Sequence, residues 1–371
     1  MTKDRTPATA FDASILDVLR TASRITAGNP RLVLRALRLL RYQVRAARRR
    51  ALSETRGLRV PPFVIHSITD RCNLDCLGCY AKLLHRSDRD EMTTERVAEL
   101  LKEARDLGVS IVLLAGGEPL IRPDVLDLTE GMPEILFLLF TNGSLLDDGA
   151  IARLRDQQHV IPVLSIEGDE GRTDLRRGEG TYAHVRRAMT RLKAARLFFG
   201  TSTTLTSENF DQATGEAFLE EMLAQGCRLF YLINYVPVQP GTEHLQLELP
   251  QVAELERRLT RYRRSYPSLF IAFPHDEVAL GGCLAAGRGF LHINAYGDVE
   301  PCPFSPYSDA NLNALSFEEA LRSPLFAKIL SSNVTLDETD GRCALFKRRK
   351  WVAELAAASE SGRSDDQDSR Q

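Results

Sequence analysis

The sequence lacks the features that would place the protein in a membrane, outside the cell or on a nucleic acid. It has no run of eighteen or more apolar residues, and its first residues do not show the basic-then-apolar order of a signal peptide. Lysine plus arginine (48) nearly balance aspartate plus glutamate (50), so the net charge of -2 gives no general attraction to nucleic acid. We therefore expect a cytoplasmic protein with no nucleic-acid partner that binds its ligands at a local site.

Cysteine is also scarce, with seven in 371 residues. In a cytoplasmic chain of this size, that number argues against a disulfide framework and for thiolates used in metal binding or chemistry. No internal repeat of solenoid length is present, which excludes a repeat array. The length is typical of roughly two domains, or of one barrel with additions.

From Pro61 onward, short apolar runs alternate with helical stretches, a pattern that predicts βα units and a parallel sheet. The six predicted strands are FVIHSI from Phe63, SIVLLA from Ser110, ILFLLFT from Ile135, VIPVLSI from Val160, LFFGTSTTL from Leu197 and RLFYLINY from Arg228. Six such units predict an α/β fold built on a partial (β/α)6 TIM-like barrel.

Composition divides the rest of the chain. Residues 1–12 and 357–371 are small, polar or charged, and we expect both to be disordered. Residues 13–59 are predicted to form an N-terminal helical extension and residues 60–250 the barrel. Residues 251–356 are irregular and rich in Gly, Pro and Cys, and we expect a small cap in which FLHIN and DVEPC form a hairpin.

Residues 29–50 predict a basic amphipathic helix. Its apolar residues recur at helical spacing and its arginines occupy other faces. The apolar set is Val33, Leu37, Leu40 and Val44, and the basic set is Arg31, Arg35, Arg38, Arg41, Arg45 and Arg48. Two interpretations stay open: a helix laid on the main domain with a solvated arginine face, or a contact with an anionic lipid surface or an acidic partner.

The segment SITDRCNLDCLGCYA follows the first predicted strand and carries three thiols with the spacing Cys-x3-Cys-x2-Cys. Active sites of βα folds are built at this end of the strands, and cysteine thiolates are the standard ligands of iron-sulfur clusters. The alternative is a structural zinc ion, but zinc prefers four protein ligands and the local segment offers only three, Cys72, Cys76 and Cys79.

This spacing resembles the three-cysteine motif of the radical S-adenosylmethionine superfamily. The resemblance implies that three cysteines hold a 4Fe-4S cluster whose fourth iron binds the amino and carboxylate groups of S-adenosylmethionine. It also implies reductive cleavage of that cofactor to a 5'-deoxyadenosyl radical, which abstracts hydrogen from the substrate. The implied electron donor is a protein such as flavodoxin or ferredoxin.

Further segments match the family in the order of the strands. Gly116, Gly117, Glu118 and Pro119 match its GGEP motif, and the resemblance implies that they bind the methionyl amine. Tyr80, directly after the last cysteine of the loop, matches an aromatic position whose backbone contacts adenine.

The next two strands end in polar segments that resemble the family's TNG and S-x-D-G motifs. Asn142 and Ser165 are expected to face ribose and carboxylate oxygens, and Glu167 stands where many relatives have Asp. Arg177, in a D-x-x-R-G stretch, is implied to bind the methionyl carboxylate, a charge-assisted contact that suits arginine.

A second cysteine group lies after the barrel. Cys283, Gly297 and Cys302 follow the pattern Cys-x13-Gly-x4-Cys, which resembles the opening of the SPASM and twitch extensions. The cap is therefore predicted to be twitch-like, with one auxiliary 4Fe-4S cluster on Cys283, Cys302 and Cys343. The alternatives are a zinc ion bound by these thiols with His292, or thiols that are simply buried.

The substrate is not identified by any motif, and a peptide and a small molecule both remain open. A lipid or isoprenoid substrate is an alternative because of the basic helix at residues 29–50. A third hypothesis is a metal-binding scaffold without catalysis, which the intact motifs disfavour.

Overall fold

The structure is a computed structural model that describes residues 30–85, 87–332, 334, 336 and 340–368. One nine-stranded sheet forms its centre. The strands are β1 (Phe63–Thr69), β2 (Ile111–Gly116), β3 (Leu136–Thr141), β4 (Val160–Ser165), β5 (Gly200–Leu205), β6 (Leu229–Asn234), β7 (Leu269–Phe273), β8 (Phe290–Ile293) and β9 (Val299–Glu300).

The strand order is β7-β6-β5-β4-β3-β2-β1-β8-β9. Strands β1 to β7 are parallel to their neighbours in chain order, β8 lies parallel to β1 on its other side, and β9 is antiparallel to β8. The order is linear, so the sheet is an open, partial barrel. The carboxyl ends of the parallel strands meet at one edge, where loops can assemble a site.

Helices connect the strands. In the described part of the chain, the α-helices are α1 (Pro30–Thr55), α2 (Tyr80–Leu84), α3 (Thr94–Leu107), α4 (Val125–Glu130), α5 (Asp148–Asp156), α6 (Glu170–Arg177), α7 (Thr181–Ala194), α8 (Phe210–Ala213), α9 (Glu216–Ala224), α10 (Leu249–Ser265), α11 (Phe317–Ala320), α12 (Pro324–Ser331), α13 (Ala344–Lys347) and α14 (Arg349–Asp368). Short 3-10 helices span Pro119–Ile121, Glu243–Leu245 and His275–Leu280.

Local sequence sets the ends of these elements, and α3 is an example. The Thr93 side chain accepts from Arg96 N at the helix start, and Gly108 ends the helix at φ 111, a conformation that favours glycine. Between these ends, Val97, Leu100 and Ala104 face the core. The strands read as continuous apolar runs because helices and barrel interior bury both faces of a parallel sheet.

All six predicted strands are present, and each starts within three residues of its predicted start. The strand count was too low, however, because β7 continues the parallel sheet beyond β6. Its five residues follow an arginine-rich helix and read as the start of the irregular region. The strand is identified by its pairing with β6, and Phe270 stacks there on Phe230 with centroids 5.0 Å apart.

The predicted hairpin is confirmed, since β8 and β9 pair in antiparallel fashion. Its place was not foreseen: β8 also pairs in parallel with β1, so the cap continues the barrel sheet. Phe290 on β8 stacks on Phe63 of β1 with ring centroids 5.0 Å apart. Pairing between segments more than 220 residues apart cannot be read from local pattern.

The predicted basic helix is present as α1, but it packs through an unexpected face. Among residues 37–55, its buried residues are Gln43, Ala46, Arg50 and Ser53, and Arg50 donates to the carbonyl of Gly108. Leu37 of the apolar set is 53% exposed. Within the described residues, no helix combines the length and apolarity that crossing a membrane requires.

The two chain ends compare differently with their predictions. Helix α14 extends to Asp368, into the segment 357–371 predicted to be disordered. Val352 and Ala356 are buried and anchor its first half, while alanine and glutamate favour helix further on. The predicted disordered segment 1–12 lies outside the described residues.

Candidate active site

Three half-buried thiols lie on the loop after β1, at the carboxyl edge of the sheet. Cys72, Cys76 and Cys79 all line a cavity of about 270 Å³. Cys79 directly precedes α2, so the loop ends where the helix begins. The three sulfurs lie near enough for the charges of Cys76 and Cys79 to act on Cys72.

A glycine fixes the path between the second and third thiols. Gly78 has φ +64, and a Cβ there would lie 2.6 Å from the Tyr235 hydroxyl oxygen. A side chain at this position would therefore be strained and would also collide with the cavity wall. The loop packs against Tyr235, the residue directly after β6, in a backbone conformation that glycine adopts without strain.

Burial raises the pKa of both Cys72 and Cys76. For Cys76 the nearby guanidinium groups of Arg177 and Arg176 oppose that rise. Without a metal, the two thiols are therefore neutral at neutral pH, and they release protons when they become ligands.

The Gly116-Gly117 segment ends β2 and presses on the start of the thiol loop. A Cβ on Gly117 would lie 2.0 Å from the Arg71 carbonyl oxygen, and one on Gly116 would lie 2.2 Å from that of Thr69. Gly117 N donates to Thr69 O at 2.8 Å, and Glu118 N donates to Arg71 O at 2.8 Å. Because neither glycine has a side chain, the end of β2 packs directly against the backbone at the start of the thiol loop. This contact fixes the position of the loop at the cavity.

Glu118 has partners within the protein that sequence reasoning missed. Its carboxylate is buried and accepts from Asn142 N at 2.7 Å, Thr141 Oγ1 at 2.8 Å and Leu120 N at 3.2 Å. Burial raises its pKa, against the effect of these donors. The side chain ties the end of β2 to the end of β3 and still lines the cavity.

Asn142 and Ser165 lie where the motif order places them. Asn142 Nδ2 donates to Asn73 Oδ1 at 2.8 Å, which links the end of β3 to the thiol loop. Its Oδ1 accepts from Ser144 N at 2.9 Å. Ser165 ends β4 and lines the cavity.

Arg177 is bound to a carboxylate of its own chain. Its Nε and one Nη lie 2.7 and 2.6 Å from Glu167 Oε1, and Arg176 donates to the same oxygen at 2.6 Å. The second oxygen of Glu167 accepts from Thr204 N at 3.0 Å. Burial by itself would raise the pKa of Glu167, but the two guanidinium groups hold it below its ordinary value.

This ion-pair group shows what the sequence interpretation left out. Glu167 was treated as a variant of an Asp position, and the pairing with Arg177 ten residues later was not considered. Arginine has five N–H donors, so an arginine that gives two to Glu167 can still bind a second anion. Arg176 and Arg177 both line the cavity and supply its positive charge.

Aromatic side chains build the inner wall. Phe140 contacts Tyr231 edge-on at 5.1 Å, and Tyr231 stacks on Phe273 at 5.6 Å. Tyr80 is half-buried beside Phe304, with centroids 5.2 Å apart. Burial raises the pKa of Tyr80 and of Tyr231, so both stay neutral.

The second cysteine group lines the same cavity as the first. Cys283 and Cys302 are buried and Cys343 is half-buried at the start of α13. Burial, with a smaller contribution from the charge of Cys343, raises the pKa of Cys302 well above its ordinary value. The tertiary structure thus brings three distant segments together at the cavity that the thiol loop also lines.

The structure bears on the zinc alternative for this group. Among the described residues, the ligand atoms of His292 and the three thiols do not all lie within 4.8 Å of one another, so the zinc set of His292 with the three thiols is not formed. Cys227 is a core thiol, because it is buried and donates to Leu229 O at 3.2 Å.

Of the predicted site residues, all but Pro119 line the one cavity. Pro119 is buried and begins the 3-10 helix behind it. The thirteen lining residues are Cys72, Cys76, Cys79, Tyr80, Gly116, Gly117, Glu118, Asn142, Ser165, Arg177, Cys283, Cys302 and Cys343.

The motif order agrees with a comparison against known families. The Radical SAM superfamily model matches residues 66–215, from β1 to the start of α9. Residues 66–215 thus form a radical SAM domain. Enzymes of this superfamily use a 4Fe-4S cluster and S-adenosylmethionine, so the chain is a radical SAM enzyme whose substrate is not identified.

Two relatives align over most of the chain. The AdoMet-dependent heme synthase of Methanosarcina barkeri is 23% identical over 333 residues, which are 82% of this chain and 94% of the relative. The mycofactocin maturase MftC of Mycobacterium ulcerans is 29% identical over 264 residues, which are 67% of this chain and 70% of the maturase.

Solved structures share the fold. Streptococcus suis SuiB bound to S-adenosylmethionine matches with a TM-score of 0.64 at 19% identity, over 81% of this chain and 75% of SuiB. SuiB bound to its precursor peptide SuiA matches with a TM-score of 0.63 at 20% identity, over 81% and 74%. The likeness spans more of the chain than the family model does.

Proposed function

We propose that Cys72, Cys76 and Cys79 hold the 4Fe-4S cluster of this radical SAM enzyme, and that the rest of the cavity mouth binds S-adenosylmethionine. One observation supports this proposal: the three thiols of one loop line a single cavity together with Gly116, Gly117 and Glu118 of the GGEP segment. Three thiolates match a cluster with one iron open to a ligand, whereas structural zinc sites take four protein ligands.

The residues around the thiols fit such an occupant. Arg176 and Arg177 bring positive charge to the mouth and favour the thiolate form of Cys76. When bound, the cluster supplies the electron that cleaves S-adenosylmethionine. Arg177, already oriented by Glu167, is proposed to bind the carboxylate of the cofactor through N–H groups that Glu167 does not use.

The proposed cofactor contacts follow the motif positions. Gly116 and Gly117 line the cavity, and their backbone is proposed to bind the methionyl amine with Glu118 and Pro119. Asn142 and Ser165 are proposed to face the ribose and carboxylate oxygens. The backbone of Tyr80 is proposed to contact adenine.

We further propose that Cys283, Cys302 and Cys343 hold an auxiliary 4Fe-4S cluster. Their sulfurs open into the same cavity, which puts a second electron carrier within reach of the substrate. In this proposal residues 60–250 are the radical SAM core and residues 251–356 are a twitch-like cap. A reducing protein such as flavodoxin or ferredoxin supplies the electron.

The substrate is proposed to place an apolar group against the aromatic wall between the two thiol groups. Phe140, Tyr231 and Phe273 form that wall, and their rings offer no strong hydrogen-bonding groups apart from the Tyr231 hydroxyl. A dry wall also protects a reactive radical from water. A heme synthase and a peptide-bound enzyme among the relatives leave both a tetrapyrrole and a peptide as candidates.

Anaerobic reconstitution with iron and sulfide tests these assignments. The wild type is expected to bind about eight irons, and the variant with Cys72, Cys76 and Cys79 all changed to Ala about four. Reduced wild type is expected to produce 5'-deoxyadenosine from S-adenosylmethionine, and the triple variant is not. Zinc on the loop, or cleavage that survives the triple change, would contradict the proposal, and absence of cleavage in the wild type would favour the scaffold hypothesis.

A second candidate function is action on a lipid or isoprenoid at a membrane surface, favoured by the outer face of α1. Leu37, Val44 and Leu52 are exposed there at helical spacing, and Arg41 and Arg45 beside them are exposed as well. Exposed apolar residues flanked by arginines fit an anionic lipid surface.

Vesicle flotation tests this second candidate. The full chain is expected to float with phosphatidylglycerol vesicles and not with phosphatidylcholine vesicles, and Arg41→Glu with Arg45→Glu to reduce the bound fraction. Arg187→Glu, an exposed arginine on α7, is the matched control. Equal flotation of the double variant and the control would refute contact through α1.

A further inference from the structure

A buried group of ligand-type side chains lies behind the cavity, outside both cysteine groups. It consists of His85 at the end of α2, His292 on β8 and Glu300 on β9. Among the described residues, it is the one set of three or more His, Cys, Asp or Glu side chains whose ligand atoms all lie within 4.8 Å of one another. The side chains of His85, His292 and Glu300 are 4%, 0% and 3% exposed.

His85 has a ring nitrogen without a partner. Its Nε2 lies 2.7 Å from the Pro303 carbonyl oxygen. A carbonyl oxygen only accepts, so Nε2 carries a proton and a neutral ring leaves a lone pair on Nδ1. That Nδ1 is buried with no hydrogen-bond partner among the described residues, and it lies 3.6 Å from Glu300 Oε2. A buried imidazole nitrogen and a carboxylate oxygen 3.6 Å apart need a positive charge between them, which either a proton on His85 or a metal ion supplies.

His292 is oriented in the same way. Its Nε2 lies 2.7 Å from Ser67 Oγ, and its Nδ1 lies 2.6 Å from Glu300 Oε2. The other oxygen of Glu300 accepts from Asn294 Nδ2 at 2.9 Å. Histidines that bind metals characteristically fix their second ring nitrogen on a carbonyl or hydroxyl oxygen, and ligating carboxylates are hydrogen-bonded in turn.

We propose that Nδ1 of His85, Nδ1 of His292 and Oε2 of Glu300 bind a divalent transition-metal ion of the zinc class, with water as a fourth ligand. Two imidazoles and a carboxylate are a donor set that zinc accepts. Tetrahedral zinc at its usual bond lengths separates neighbouring ligand atoms by about 3.3 Å. The 3.6 Å distance from His85 Nδ1 to Glu300 Oε2 fits this value. The 2.6 Å distance from His292 Nδ1 to Glu300 Oε2 has to increase when the ion replaces the proton between these atoms.

The ion would join two parts of the molecule that otherwise meet only through packing and hydrogen bonds. His85 lies six residues after Cys79, and Glu300 lies two residues before Cys302. Binding would therefore fix the β8-β9 hairpin, which leads to the second cysteine group, onto the helix that follows the first. This role does not depend on whether either cysteine group holds iron.

Zinc content of the full chain tests the proposal. The untagged protein, with its iron-sulfur clusters loaded anaerobically, is incubated with Zn2+, desalted, and assayed for zinc and iron in the same sample. The wild type is expected to retain one zinc per chain, and His85→Ala and Glu300→Gln to lose it at least tenfold with iron unchanged. His184→Ala, which removes an exposed histidine on α7, is the matched control and keeps the zinc.

X-ray absorption at the zinc edge of the wild type decides the ligands even if a variant fails to fold. A first shell of only nitrogen and oxygen at about 2.0–2.1 Å supports the proposal. A sulfur shell at about 2.3 Å would place the zinc on cysteines and overturn it. It is equally overturned if the wild type retains no zinc, or if both variants retain as much zinc as the control.

Discussion

The two cysteine groups line one cavity, yet they are built in opposite ways. Cys72, Cys76 and Cys79 lie within eight consecutive residues on a half-buried loop. Cys283, Cys302 and Cys343 come from three segments spread over sixty-one residues, and two of them are buried. The first group is therefore a local structure made by spacing and glycines, while the second exists only when β8 has paired with β1.

The difference has a chemical side. Burial raises the pKa of Cys72 and Cys76 in the first group and of Cys302 in the second, but beside Cys76 two arginines oppose that rise. For Cys302 the charge of Cys343 acts in the same direction as burial. The first group is thus better prepared to give up protons to a metal, and the second needs the metal itself to drive their release.

The strongest test of this contrast is Cys76→Ala. We expect it to reduce 5'-deoxyadenosine formation to background and to remove about four irons, because two thiolates cannot hold the cluster with one open iron. Product is measured after chemical reduction, with Cys227→Ala as a core-thiol control. Retained cleavage would show that the first loop is not the site of the chemistry.

Cys302→Ala probes the second cysteine group. It is expected to remove about four of about eight irons and to leave cofactor cleavage in the absence of substrate unchanged. Iron counts and 5'-deoxyadenosine yield are measured on the same preparation. If cleavage disappears as well, the two groups are one coupled site and the contrast between them is broken.

Glu167→Gln tests the buried ion pair that lies beside the first group only. The carboxylate holds two guanidinium groups, so its loss is expected to cost about 3 kcal/mol of unfolding free energy near neutral pH. Because the folded pKa of Glu167 lies below its ordinary value of 4.5, its stabilisation is complete above that pH and is lost as the pH falls through the folded pKa. Denaturation of both proteins at several pH values is expected to show their difference shrinking toward acid, and a constant difference would contradict the charge argument.

Gly117→Ala gives the smallest effect in this series. The new Cβ would meet the Arg71 carbonyl carbon and oxygen, both backbone atoms, so the loop has to shift, at a cost of about 2 kcal/mol. Gly131→Ala is the matched control, because a Cβ there meets nothing within 4 Å and its φ is -80. Chemical denaturation is expected to separate the two variants, and equal midpoints would mean that the thiol loop is not clamped by the GGEP segment.

Sequence reasoning worked where a feature depends on neighbours in the chain. The six first strands, the loop of three thiols and the β8-β9 hairpin all follow from short patterns of apolar and turn residues. It failed for β7, whose five residues are identified by their pairing with β6, and for the packing face of α1, where buried Arg50 binds Gly108. The internal partners of Glu118 and Arg177 were missed for the same reason, since Asn142 and Glu167 reach them only in the folded sheet.

The sequence by itself determined the spacing of Cys72, Cys76 and Cys79 along one loop, and that spacing survives in any fold that puts the loop on the end of a strand. The tertiary structure decided everything that needs distant segments. It placed Cys283, Cys302 and Cys343 at the same cavity as that loop, and it gathered His85, His292 and Glu300 into one buried group. The physical reason is that β8 pairs with β1, a long-range contact set by packing of side chains such as Phe63 and Phe290, which no local pattern encodes.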